Sequence, residues 1–126
     1  MLGLTDKAKI VNLLSLLAEG DTKGLLREIG HLEETVPDFR GLLKELHEML
    51  HQMAIAKSVP EALENNLRER ESILKLAKQL SAEEIQLYYQ IGLQGQRDLP
   101  YAPNAKLGFE MTLLRMVAFQ PVRVSN

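Results

Sequence analysis

The only residues whose types and spacing spell a familiar piece of chemistry are His47-Glu48-Met49-Leu50-His51, which read H-E-x-x-H. Two imidazoles four apart lie on one side of a helix and can share a metal ion, and the glutamate between them can activate a metal-bound water, as zinc peptidases do. Three features of the chain count against that reading. The extended form of the motif needs a glycine and then a third histidine where this chain has Ala54 and Lys57. Glu61, Glu64 or Glu71 would have to complete the ligand set, and no strand is on offer to present a peptide substrate. Finally, Leu43, Leu46 and Leu50 take the apolar stripe of this helix, leaving His47 and His51 at its flank and Glu48 opposite. The plainer reading is an amphipathic helix with two boundary histidines, and His31 is likewise a surface or interhelix residue.

Other chemistries find less. There is no cysteine, which removes disulfides, thiolate metal sites and a thiol nucleophile. None of Ser15, Ser58, Ser72, Ser81 and Ser125 stands in a G-x-S-x-G setting, and neither a P-loop nor a G-x-G-x-x-G fingerprint occurs. Lys75 and Lys78 near Glu71 suit helix-surface ion pairs.

The elements that must carry any function are helical throughout, with apolar residues recurring at 3.6-residue spacing and no competing alternation. Thr5 is expected to cap a first helix bearing Ile10, Leu13, Leu14 and Leu17 and stopped by Gly20; Asp21 opens a second with Leu25, Leu26, Ile29 and Leu32. Val36-Pro37-Asp38 breaks the pattern. The third helix carries Phe39, Leu42, Leu43, Leu46, Leu50, Met53 and Ala54 and closes at Ser58-Val59-Pro60. A fourth falls within 61–80, using Leu67, Ile73, Leu74, Ala77 and Leu80, with Asn65-Asn66 able to interrupt its start. Ser81-Ala82-Glu83-Glu84 has capping-box spacing and starts a fifth helix that runs to about Asp98. Pro100 and Pro103 are expected to hold an extended linker. Asn104 then caps a sixth helix with Leu107, Met111, Leu114 and Ala118 as its main stripe, and Pro121 ends it.

These elements predict an all-α protein, a single compact bundle of about five to six helices over 1–120 with a tail over 121–126. The 126 residues, 45% hydrophobic and 25% charged, suit one globular domain. A formal charge of −2 and a pI near 5.9 give no footprint for nucleic acid, and Lys7, Lys9, Lys23 and Arg27 are interleaved with acids. No apolar run approaches the roughly 18–20 residues of a membrane span, and no secretory pattern opens the chain, so a cytoplasmic, membrane-free protein is expected.

Two helices have more apolar surface than one core needs. On the fifth, Ile85, Tyr88, Tyr89 and Gly92 repeat at helical spacing beside a polar row of Gln86, Gln90 and Gln94; each tyrosine suits either the core edge or an interface. On the sixth, Leu113, Met116 and Phe119 lie away from the main stripe, so this helix is central or is covered by another chain. Arg97 and Arg115 can anchor a protein contact there.

Residues 85–121, above all Leu99-Pro100-Tyr101-Ala102-Pro103 and Glu110-Met111-Thr112-Leu113-Leu114-Arg115, resemble the collar (oligomerisation, domain III) region of the bacterial DNA polymerase III clamp-loader subunit gamma/tau, the DnaX family. The likeness extends more loosely over 1–80. It implies a clamp-loader collar fold and a domain that performs no chemistry itself. Other gamma/tau copies, the δ and δ′ subunits and the small ψ subunit would be its partners in the ring that loads the sliding clamp during DNA replication. The same resemblance implies an excised domain, Met1 being an internal methionine or an artificial start. ATP, Mg and Zn belong to an ATPase module absent from this chain, which needs no cofactor of its own. On the matched segments Tyr89, Arg97, Tyr101, Phe109, Arg115 and Phe119 are the expected interface residues. A small zinc peptidase through His47, Glu48 and His51, or an unrelated helical adaptor, are the alternatives.

Overall fold

The computed structural model describes residues 6–35, 38–65 and 67–120. The Thr5 cap, the Val36-Pro37 break, Asn66, the Pro121 stop and the tail at 121–126 lie outside them. Among the described residues the chain forms six α-helices: α1 (Asp6–Glu19), α2 (Thr22–Thr35), α3 (Phe39–Ser58), α4 (Arg70–Gln79), α5 (Ala82–Asp98) and α6 (Ala105–Ala118). Short 3-10 turns occupy Pro60–Ala62 and Leu99–Tyr101.

Local chemistry accounts for most of the boundaries. Gly20, at φ 73°, ends α1 in a Schellman motif: its N–H donates to the Leu17 carbonyl and that of Asp21 to the Leu16 carbonyl. Asp21 then turns the chain into α2 by accepting from the Gly24 N–H at 2.9 Å, and Asp38 does the same for α3 through Gly41 at 3.0 Å. The capping box of α5 is complete, with Glu84 N–H donating to Ser81 Oγ at 3.0 Å and Ser81 N–H to Glu84 Oε1 at 2.9 Å. Asn104 Oδ1 accepts from the Leu107 N–H and starts α6.

Two expectations are corrected. The segment 99–103 is not extended throughout. Leu99 keeps helical angles and a 3-10 turn follows with Pro100 near its start; the chain is extended at Ala102 and again at Asn104. Proline's fixed φ suits the first turn of a helix as well as a stretched linker, and no N–H is missed there. The second correction concerns α6. Its core face is Phe109, Thr112, Leu113 and Met116, while Leu107 and Met111 of the expected main stripe are exposed.

The axle of the bundle is α3, which packs against α1, α4, α5 and α6; α6 closes the far side against α5, α2 and α1. Leu42, Leu43, Leu46, Leu50 and Met53 of α3 are almost wholly buried, together with Ile10, Leu13, Leu14 and Leu17 of α1. With Phe39, Met49 and Ala56 also buried, α3 supplies more of the core's apolar side chains than any other helix. At one end Phe39 meets Phe109 in a tilted pair, with ring centroids 5.4 Å apart at 57°.

Candidate protein-docking face

A helix of 14 residues needs one apolar stripe to join a core, and α6 has two. The buried stripe is Phe109, Thr112, Leu113 and Met116. On the opposite side, at i, i+4, i+7 and i+11, stand Leu107, Met111, Leu114 and Ala118. Leu107 is 40% and Met111 51% exposed. The flanking apolar side chains are more open still, Phe119 at 62% and Tyr101 at 88%. Isolated exposed apolar residues are ordinary, whereas several on one helix and its entry turn are the mark of a surface meant to be covered.

Close packing beneath this surface fixes its shape. A Cβ at Gly95 of α5 would collide with the Thr112 side chain, and one at Gly108 of α6 with that of Leu99. The two helices therefore approach more closely than larger residues would permit, and the hydroxyl of Thr112, left without room for a partner on α5, donates to the Gly108 carbonyl at 2.8 Å. A groove of about 430 Å³ opens over this seam, lined by Leu99, Tyr101, Ala102, Leu107, Met111 and Arg115 among others.

Polar groups border it. Arg115 lies 3.7 Å from Asp98, which also accepts from Gln94 at 3.0 Å, so the guanidinium is tethered along the α5–α6 seam. Both ends of the ion pair are half exposed, a setting in which such a pair adds about 0–1 kcal/mol to the fold. Its guanidinium therefore stays available to a partner. On the other flank Lys106 bridges Glu110 at 3.5 Å and Glu33 of α2 at 4.0 Å. Arg97 is exposed, and the Gln86, Gln90 and Gln94 row faces solvent as expected.

The expected interface residues thus separate. Tyr101, Arg115 and Phe119 border or extend the groove; Arg97 sits on the outward side of α5. Phe109 does not belong with them. It is wholly buried against Phe39, so any part it plays in docking is through the core. Tyr89 is half-buried and faces α3, not the groove. Tyr88 is wholly buried, which decides between its two readings in favour of the core. Leu107, Met111 and Asp98 were not among the expected contacts, although the second apolar stripe that exposes Leu107 and Met111 is readable in the sequence.

The H-E-x-x-H residues are occupied elsewhere. The His47 ring stacks on Tyr89 at 4.2 Å between centroids and 33°, and its Nε2–H donates to the Tyr89 carbonyl at 3.1 Å. Its edge approaches Gly92, where a Cβ would lie 3.1 Å from Cδ2. Burial lowers the His47 pKa below the usual imidazole value; the hydrogen bond to Tyr89 and the nearby Glu48 act against this, while His51 adds to it. His51 lies farther from the same tyrosine, 6.5 Å between centroids. Among the described residues no three His, Cys, Asp or Glu side chains converge on a point that could hold a metal ion. Nor is any helix among them long and apolar enough to cross a membrane.

Comparison with known proteins identifies the family and the fold. Residues 1–124 match the family model of DNA polymerase III subunits gamma and tau, domain III. The chain is 39% identical over 121 residues to the DNA polymerase III subunit tau/gamma of Haemophilus influenzae, covering 96% of this chain and 17% of that subunit. It is 35% identical over 122 residues to subunit tau of Escherichia coli, covering 96% and 19%. Against subunit gamma of Buchnera aphidicola subsp. Baizongia pistaciae the identity is 34%, over 91% of this chain and 32% of that protein. The chain therefore spans between a sixth and a third of these relatives. In structure it is similar to the DNA clamp loader delta protein of Bacillus subtilis, with a TM-score of 0.79 at 13% identity over 94% of this chain and 38% of that one, a likeness of fold.

Proposed function

We propose a function from one premise: this chain belongs to the family of domain III of the DNA polymerase III gamma and tau subunits. It is a non-catalytic helical domain of the clamp loader, and its task is oligomerisation. Side by side with other gamma/tau copies and with the δ and δ′ subunits it builds a collar. The collar holds the ATPase modules of the parent subunits in a ring, so that ATP binding can open the sliding clamp and load it on DNA. The small ψ subunit docks on the same collar. ATP, Mg and Zn act in the parent's ATPase module, and the assembly works in the cytoplasm without this domain touching DNA.

The observation that carries the reading is the pair of apolar stripes on α6, one spent on the bundle and one left outward beside Tyr101 and Phe119. A helix in a single stable domain gains nothing by exposing a second stripe, whereas a domain that ends inside an assembly does. The likeness in fold to a clamp loader delta protein supports a shared collar architecture.

Light scattering coupled to size-exclusion chromatography, over a concentration series with and without chelator, tests it. Chelator-insensitive association of the chain with itself or with the collar domain of δ, weakened by Met111→Glu, is the expected result. A chain that stays monomeric and binds neither δ nor δ′ would falsify the proposal.

A further inference from the structure

Like the C-terminal end of α3, the last turn of α6 has no side-chain or glycine cap and is closed only by local backbone bonds, among them Gln120 N–H to the Val117 carbonyl at 3.1 Å. No glycine with positive φ follows it; Phe119 closes the helix with angles of −99° and 7°, and its N–H donates to the Arg115 carbonyl at 3.2 Å. Helix ends without a cap fray. This one has in addition a tie from across the molecule: the Gln120 side chain donates through Nε2 to the Leu17 carbonyl, 103 residues earlier. That carbonyl is already the acceptor for Gly20 in the Schellman corner between α1 and α2, and Gln120 Oε1 sits 3.6 Å from where a Gly20 Cβ would be. The amide is therefore seated in the corner, donor toward the carbonyl and oxygen beside the glycine.

Phe119, the residue before this tie, is the outermost apolar side chain at the C-terminal end of the docking face. We propose that Gln120 is a positioning residue for that face: its latch onto the α1–α2 corner holds the last turn of α6 in register, so that Phe119 and the outward stripe are presented to a partner as one preorganised surface. This rests on the reading of that face as the self-association surface. A surface that is ordered only part of the time binds with an apparent affinity reduced by the ordered fraction.

The test uses the full chain, comparing wild type with Gln120→Ala and Gln120→Glu by sedimentation equilibrium from pH 4 to 8, with amide exchange at Phe119 and Gln120 as a second readout. Gln120→Ala should weaken association about fivefold, as when the latched state falls to a fifth of the population, and should speed exchange at those two amides. Gln120→Glu is the discriminating variant. Its carboxylate offers the Leu17 carbonyl no proton, so at pH 8 it should associate less well than the alanine variant. As the pH falls below about 4.3 the protonated acid can donate, and its association relative to wild type at the same pH should recover. A residue that mattered only for packing would show no such pH profile. Wild type that associates, with both variants matching it at every pH or with no recovery for Gln120→Glu, would overturn the inference alone. Wild type that binds neither itself nor δ would overturn the docking reading and the inference with it.

Discussion

Two seams of α5 show how differently one helix can be used. Toward α3 it is closed: Ile85 and Tyr88 are buried, Gly92 admits the His47 ring, and Tyr89 covers that ring and accepts a hydrogen bond from it through its backbone carbonyl. Toward α6 the floor is as tight, through Gly95 and Thr112, yet above it lies an open groove bordered by Arg115, Met111 and Tyr101. The difference lies in what stands over each seam. The α3 side has the rest of the domain, and the α6 side ends in the second apolar stripe. Tight packing is therefore common to both, and only the second leaves apolar side chains exposed above it.

Changes at the closed seam and in the core should act on stability, and those at the open groove on association. Phe109→Ala removes the largest buried side chain of α6 and should cost about 3–5 kcal/mol in urea denaturation. Gly95→Ala drives a methyl into Thr112, and overpacking of this kind costs about 1–3 kcal/mol; a crystal structure of the variant should show α5 and α6 moved apart. Ser81→Ala breaks the capping box and should cost about 1 kcal/mol. His47 has a folded pKa below its unfolded value, so its contribution is complete above pH 6.5 and is lost as the pH falls through 6.5 to the lowered value, with no further change below. The urea midpoint of the wild type should thus rise with pH through that interval, and the rise should be smaller in His47→Gln. Met111→Glu should alter stability by less than about 0.5 kcal/mol while abolishing self-association in light scattering. If it unfolds the chain instead, the contrast between the two seams is wrong.

The sequence was informative where a rule is local. Gly20, Asp21, Ser81-Glu84 and Asn104 mark helix ends by hydrogen bonds within a few residues of themselves, and the structure makes those bonds. The stripe of α3 was readable because its leucines have no competing apolar face. On α6 periodicity found both stripes but ranked them in the wrong order, since Leu107, Met111, Leu114 and Ala118 look as apolar as the set that is buried. What decides is the Gly95–Thr112 approach and the fit of Phe109 against Phe39, both made between distant parts of the chain. For the same reason Phe109 passed for an interface residue. The 99–103 turn was misjudged because proline's φ serves two conformations, and the choice between them depends on Leu99 packing over Gly108.

Closure of the bundle by α6 also sets the order in which it can form. The last helix packs on α1 and α2, and its final hydrogen bond spans 103 residues. Ribosomes add roughly 5–20 residues per second, so while α1 is met early by α3 and α4, α2 waits on the order of 5–20 s for the helix that covers it. During that interval the face of α2 that α6 will cover is open to chaperones and to other nascent chains. Completion of the bundle therefore waits for the end of the domain, whatever forms earlier among α1, α3 and α4.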